Sequence, residues 1–231
     1  MTQEKHTEME QRKALVFGST GLVGNLLLEE LILSSKYSVI KVFVRQPTGL
    51  LEPKVVEIVS DLTDIQAVAN EITGDDIFIC LGTTIKKAGS VSNMEKIDRD
   101  LPVKIAETAS FNGVKNLAVV SSIGASPSSA NYYLRIKGEM EQRILSLGFS
   151  SISVVRPSML LGERRERRTG EMIGKFVMTA VKPVLTGKFR KYRAIHGRDV
   201  ARSMIALVQG SPENGIYESH QLQRLSDSYN Q

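Results

Sequence analysis

The chain has 231 residues, 42% of them hydrophobic, and a formal net charge of +5 at pH 7. This is enough apolar material for one well-buried α/β domain, and no apolar run reaches the ~18 residues of a membrane-spanning helix, so no membrane partner is expected. The basic excess suits an anionic cofactor as well as nucleic acid, but the chain has no Trp and no stacking or groove-reading motif, so a nucleic-acid partner is not expected.

Residues 1–12 are polar, mixed in charge and without the apolar core of a signal peptide, and are expected to form a short disordered lead-in to a single domain over 13–231. The one cysteine, Cys80, leaves no intramolecular disulfide and fits a reducing compartment, from which a cytoplasmic location is expected. His6, His196 and His220 are scattered at spacings unlike a metal-ligand set, so no metal site is expected.

Ala14 to Phe17 is an apolar run that predicts a short buried strand. Gly18, Gly21 and Gly24 follow, and Leu22 to Leu33 carries apolar residues at helical spacing. Strand, glycine turn and helix in that order predict a dinucleotide site. The first glycine permits the sharp turn, the second leaves room for a pyrophosphate, and the third lets the helix lie close to the strand. The helix N-terminus then offers free N–H groups and a positive dipole end to the phosphates.

Ser38 to Val44 predicts a second strand ending at Arg45, and Val55 to Val59 a third, closed by Ser60-Asp61. Asp64 to Ile72 reads as a short helix. Ile77 to Leu81 is the continuous apolar run of a central parallel strand. Asn93 to Asn112 is helical in pattern, with Asp100 as cap of a segment carrying Pro102 in its first turn. Leu117 to Val120 is a fifth strand, Asn131 to Leu147 a helix closed by Gly148, and Ile152 to Val155 a sixth strand ending in Arg156-Pro157. This alternation predicts an α/β fold with a doubly wound, Rossmann-like parallel sheet. Beyond Pro157 come the Arg164 to Arg168 cluster, an apolar helix over Met172 to Val181, a helix over Arg198 to Val208 and a strand over Gly215 to Glu218. They are expected to supply a small C-terminal substrate cap within 158–231.

Ligands of open parallel sheets sit beyond the carboxyl ends of the strands. There the sequence places Gly18 to Gly24, Arg45, Asp61-Leu62, Leu81-Gly82-Thr83, Ser121-Ser122 and Arg156 to Ser158. Arg45 stands where an NAD site usually carries Asp or Glu. A guanidinium grips a 2′-phosphate, so NADP(H) is favoured over NAD(H). Asp61 either meets the adenine amino group or caps the turn near Thr63. Tyr133 and Lys137 share one helix face, and a nearby ammonium favours a tyrosinate, so the pair suits proton exchange with a carbonyl or alcohol oxygen. Ser121 and Ser122 end the neighbouring strand, and either could bond the same oxygen. The Arg164 to Arg168 cluster reads as a solvated loop, as a lid over an anionic substrate or the cofactor phosphates, or as a macromolecular contact.

Gly18-Ser-Thr-Gly21-Leu-Val-Gly24, Cys80-Leu-Gly82-Thr-Thr, Ser121-Ser122, Tyr133-Leu-Arg-Ile-Lys137-Gly138-Glu139 and Arg156-Pro157 together resemble the atypical short-chain dehydrogenase/reductase superfamily. The segments from Cys80 to Gly89, Lys137 to Glu141 and Arg156 to Arg164 are most similar to its Tat-interacting-protein-type branch and bacterial relatives. The resemblance implies a Rossmann fold, bound NADP(H), and Tyr133 with Lys137 as the catalytic pair, Lys137 also holding the nicotinamide ribose. Expected cofactor contacts are Gly18, Ser19, Thr20, Gly21, Leu22, Val23, Gly24, Arg45, Gln46, Asp61, Leu62, Cys80, Leu81, Gly82, Thr83, Lys137 and Pro157. Leu160 and Arg168 lie at the edge of that set. The implied reaction is hydride transfer between the cofactor and a small carbonyl or alcohol compound. An NADP(H)-sensing regulatory protein, working through a protein partner, is the alternative. A tuned Tyr133–Lys137 pair discriminates, since a sensor needs no acid.

Overall fold

The computed structural model describes residues 11–162, 187–210 and 214–229. Its organising strand is β1 (Arg12–Phe17), in which Ala14, Leu15, Val16 and Phe17 are all fully buried. A strand this apolar on both faces needs helices above and below it. It pairs in parallel with β2 (Tyr37–Val44) on one side and β4 (Asp76–Ile79) on the other. The other strands are β3 (Val55–Val59), β5 (Asn116–Val120), β6 (Ser151–Arg156) and β9 (Gly215–Glu218). All seven are parallel, in the order β3-β2-β1-β4-β5-β6-β9.

Alternation along the strands builds two cores. Ala14, Val16, Phe78 and Ala118 face α1 (Leu22–Leu33) and α6 (Gly197–Gly210), packing with Leu27, Leu31, Val200 and Met204. Leu15, Phe17, Ile77, Ile79, Leu117 and Val119 face α4 (Leu101–Phe111) and α5 (Tyr132–Leu145), packing with Ile105, Met140 and Ile144. Glu30 is a fully buried charge on α1, held by Arg198 at 2.6 Å and Arg202 at 3.2 Å. That link pins α1, and so the glycine turn ahead of it, to α6. At the opposite end of the sheet, buried Asp76 accepts from Tyr37 Oη at 2.7 Å and Asn116 Nδ2 at 2.9 Å and pairs with Arg12. Burial pushes the Asp76 carboxyl up, against these partners. The network ties together the first residues of β1, β2, β4 and β5, away from the ligand end.

Several expected elements shift. Arg12, placed in the lead-in, is the first residue of β1. The segment expected from Asp64 is a 3₁₀ helix over Gln66–Glu71. Asp100 caps nothing: it is helical and makes no capping bond. The helix instead starts at α3 (Val91–Glu95), capped by Ser90, and runs through a π turn (Lys96–Asp100) into α4. The physical cause is Pro102, which lacks an N–H and crowds the carbonyl of Asp98; widening the helix by one residue relieves both. The helix α5 ends at Leu145 and is closed by Ser146 rather than Gly148.

The C-terminal third contributes to two places. The strand β9 and helix α6 join the main layers, and α7 (Ser219–Asp227), unforeseen in the sequence, packs on α6. The short strands β7 (Leu160–Leu161) and β8 (Ile195–His196) form a separate parallel pair. The Arg164 to Arg168 cluster and the helix expected over Met172 to Val181 lie outside the described residues, as do residues 1–10.

Candidate active site

Strand order reverses direction between β1 and β4, and the cleft beyond their carboxyl ends is where a parallel sheet accepts a ligand. The glycine turn lines it. Gly18 has φ +87°, and a Cβ there would lie 2.7 Å from the Cys80 carbonyl oxygen. A Cβ on Gly24 would lie 2.1 Å from the Gly18 carbonyl oxygen, so α1 sits against the turn only because that residue is Gly. Gly21 is different: its nearest neighbour would be 3.3 Å away, and the residue is exposed. The first and third glycines thus serve packing, and the second keeps its backbone exposed. The α1 N-cap is Gly21, with no side-chain cap bond to the free N–H groups among the described residues. Ser19 and Val23 are buried, Thr20 is exposed, and Leu22 is half-buried.

Arg45 and Gln46 follow β2 and are exposed, and Arg45 has no hydrogen bond or ion pair among the described residues. Asp61 adopts the turn role: its Oδ1 accepts from Thr63 N–H at 2.9 Å and Thr63 Oγ1 at 2.8 Å, and the backbone bond leads in holding its carboxyl low. Leu62 has φ +61°, a conformation uncommon outside Gly, with its side chain in the α4–α5 core. What it leaves available toward the strand ends is therefore its backbone.

On the β4 side, Cys80, Leu81 and Thr83 are half-buried and Gly82 exposed. Burial pushes the Cys80 thiol up to about 12, so it is no thiolate nucleophile at neutral pH. Thr83 N–H donates to Asp98 Oδ2 at 3.0 Å. The π turn delivers Asp98 there, 1% exposed, and Lys137 Nζ stands 3.0 Å from its other oxygen. The two charges are in contact, yet neither Lys137 Nζ nor Asp98 Oδ1 has an aligned hydrogen bond among the described residues. A buried ammonium with unspent donors is a costly group unless something else takes them.

Three contacts place α5. A Cβ on Gly138 would lie 2.2 Å from the Ser126 carbonyl carbon, so the helix can approach the loop after β5 only with Gly there. Buried Glu141 accepts from Arg156 Nε at 2.9 Å, tying α5 to the end of β6. The third is the Lys137–Asp98 pair. Tyr133 lies one turn before Lys137 on this face and is half-buried. Tyr132 is otherwise engaged: the Arg135 guanidinium lies 5.1 Å over its ring, and desolvation, then a bond to Glu95, pushes its hydroxyl up.

The two serines separate. By alternation Ser121 follows Leu117 and Val119 on the α5 side, and its N–H still bonds the Val155 carbonyl at 2.8 Å. It is 4% exposed with an unpartnered Oγ among the described residues. Ser122 has the opposite parity, with its Oγ near its neighbour's carbonyl at 3.5 Å. Pro157 is buried beyond β6 and accepts Ile123 N–H at 3.1 Å, Leu160 is half-buried in β7, and Arg168 lies outside the described residues. His196 Nδ1 accepts Arg198 N–H at 3.4 Å at the start of α6, a structural contact. Asp98, Gly138 and Glu141 are the site residues that residue-by-residue reading missed. The signal for Asp98 was Pro102 four residues on, inside a helical pattern.

A family model described as NAD(P)H-binding matches residues 18–210. The chain belongs to this NAD(P)H-binding family. Its relatives place it in the atypical short-chain dehydrogenase/reductase superfamily. It is 33% identical over 172 residues to Protein HTATIP2 of Rattus norvegicus, covering 73% of this chain and 71% of that one. It is 32% identical to Protein FMP52, mitochondrial, of Eremothecium gossypii, covering 88% of this chain and 91% of that one. The fold is similar to that of the enzyme WbmH of Bordetella bronchiseptica, solved with NAD+, at a TM-score of 0.67 and 15% identity, covering 94% and 80%. In this NAD(P)H-binding family member the glycine turn lies against the β4 end at Cys80, and Thr83 beyond β4 is linked to buried Lys137 through Asp98. The family leaves NADP and NAD undistinguished. The expected cytoplasmic location is corrected by these relatives: FMP52 and three more of that name, at 31–34% identity, are named mitochondrial. The lone cysteine reports only a reducing surround, which does not single out the cytosol.

Proposed function

We propose that this NAD(P)H-binding protein is an NADP(H)-dependent oxidoreductase acting on a carbonyl or alcohol carbon. The observation that carries it is the buried, donor-rich Lys137 ammonium, held by Asp98 on the α5 face that also bears Tyr133. The residues fit a dinucleotide. Among the described residues, Gly21 leaves its backbone exposed beside N–H groups of α1 that no side chain caps, and Arg45 brings an unpaired guanidinium to the end of β2. In this reading Gly18 to Gly24 cradle the pyrophosphate, Arg45 and Gln46 meet the 2′-phosphate, and Asp61, Leu62, Cys80 to Thr83 and Pro157 line the remainder. Lys137 spends its free donors on ribose hydroxyls. A bound nicotinamide supplies or accepts the hydride.

The chain's own residues handle the proton. Tyr133 gives its hydroxyl proton to the substrate oxygen in reduction and takes it back in oxidation. Ser121, rather than Ser122, donates to the same oxygen, supported by its parity and its unpartnered hydroxyl. Asp98 keeps Lys137 in place and fixes the loop at Thr83.

The test is Tyr133→Phe on a carbonyl substrate found by screening NADPH oxidation. The change removes one oxygen, so fold and cofactor binding should persist, while turnover falls by about 10²-fold or more. Tyr132→Phe should do far less. Full activity in the Tyr133 variant would sink the mechanism. A second reading, an NADP(H)-sensing binding protein, is favoured by the names of HTATIP2 and FMP52, which carry no reaction. Tight NADPH binding with no turnover across a broad carbonyl panel would support it.

A further inference from the structure

A cavity of about 610 Å³ opens beside the ends of β6 and β9, and nothing in the cofactor reading uses it. Its wall includes Arg190, Arg193, Arg224, His220, Ser219 and Gln223, and no Asp or Glu is among its described lining residues. Arg190 and Arg224, both exposed, bring like charges to one hollow. A concave surface lined by one sign of charge concentrates the opposite sign. His220 also contributes to the wall.

Its position relates it to the reacting end of the cleft. Ser158, two residues past β6, donates its N–H to Ser219 Oγ at 2.8 Å and its hydroxyl to the Arg193 carbonyl. Ser219 Oγ lies 3.0 Å from Ser158 Oγ. The cavity wall is therefore fastened to the end of β6, and β6 pairs with β5, whose end carries Ser121. Arg45 stands at the end of β2, four places from β6 in the sheet order. At ~4.8 Å per strand the separation is roughly 19 Å. The cofactor's 2′-phosphate cannot serve both places.

We infer that this cavity holds an anionic group, phosphate or carboxylate, on the substrate, away from its reacting carbon. The inference rests on the oxidoreductase reading for the word substrate, and on the cavity alone for the anion. Arginine forks suit both oxyanions. The class of substrate is then a phosphorylated or carboxylated aldehyde or ketone, or the matching alcohol.

Two measurements test it, with Arg190→Gln/Arg224→Gln as the variant. Both side chains are exposed, so the fold should persist, with NADPH affinity as the control. In the first, inorganic pyrophosphate and citrate are titrated calorimetrically into NADPH-saturated protein. Binding of either by the wild type, weakened at least about tenfold in the variant, is expected. Absence of binding, or equal affinity in the two proteins, overturns the anion site whatever the enzyme does. In the second, glyceraldehyde is compared with its 3-phosphate, and 4-oxopentanoate with its methyl ester, for kcat/KM. The charged member should lead by at least about tenfold in the wild type and lose that lead in the variant. The pair that responds identifies phosphate or carboxylate. Equal rates for charged and neutral members, or a lead that survives in the variant, overturn the substrate assignment. If no carbonyl is turned over while pyrophosphate or citrate still binds at Arg190 and Arg224, the oxidoreductase reading fails and the anion site stands.

Discussion

Replacing Lys137 by Met tests whether the Asp98–Lys137 pair organises the site. The two groups are 2% and 1% exposed and 3.0 Å apart. Removing the ammonium leaves a carboxylate in the protein interior with Thr83 N–H as its remaining described hydrogen-bond partner. Breaking a buried pair from one side typically costs ~3–5 kcal/mol, because the surviving charge stays desolvated. For a domain of this size each kcal/mol moves the midpoint by ~2–4 °C, so Lys137→Met should melt roughly 6–20 °C lower. Adding Asp98→Asn removes the stranded charge and keeps an oxygen for Thr83 N–H. The double variant should therefore recover most of the loss, and NADPH binding should stay weak because the ribose donors are gone. The assay is thermal denaturation, checked by urea denaturation with matched slopes and backed by calorimetric titration of NADPH. If Lys137→Met melts like the wild type, or if the double variant is no more stable than the single, the pair is not the buried, coupled unit described here.

Arg45→Asp should weaken NADPH binding by about tenfold or more while sparing NADH, because it exchanges a phosphate-gripping cation for an anion; equal NADPH titrations of both proteins would remove the NADP preference. Gly138→Ala places a methyl group 2.2 Å from the Ser126 carbonyl carbon. The helix must back away, so stability should drop by about 1–3 kcal/mol in thermal denaturation, and an unchanged midpoint contradicts the close approach. Cys80 should resist alkylation. Its thiol is pushed from 9.0 to about 12, which lowers the thiolate fraction at about pH 8 by roughly a thousandfold. Raising the pH should keep increasing the rate beyond about pH 10, and fast iodoacetamide labelling of the native protein at about pH 8 would contradict the apolar setting.

Much of the site was legible because the chemistry is local. A turn that must meet the Cys80 carbonyl closely can only be Gly18, and a helix that must lie on that turn needs Gly24. Tyr133 and Lys137 share a face by spacing alone. Asp98 was not legible, because its role depends on a π turn, which responds to Pro102 inside a helix that looked as if it began at Asp100. Ser121 and Ser122 could not be separated without knowing which sheet face packs on α5, a fact held by Leu117, Val119 and Met140 together.

The sequence by itself determined the fold class and the ligand end of the sheet. Apolar runs of strand length, alternating with helical patterns and closed by glycine or serine, leave few other ways to bury their surface. Only the tertiary structure decided that β9 completes the main sheet beside β6, that Glu30 binds α1 to Arg198 and Arg202, and that three arginines surround one hollow. The reason is distance along the chain. Arg190 and Arg193 lie more than 30 residues before Arg224 in the chain. They become neighbours because β8 pairs with β7 beyond β6 and α7 follows β9 at the same edge.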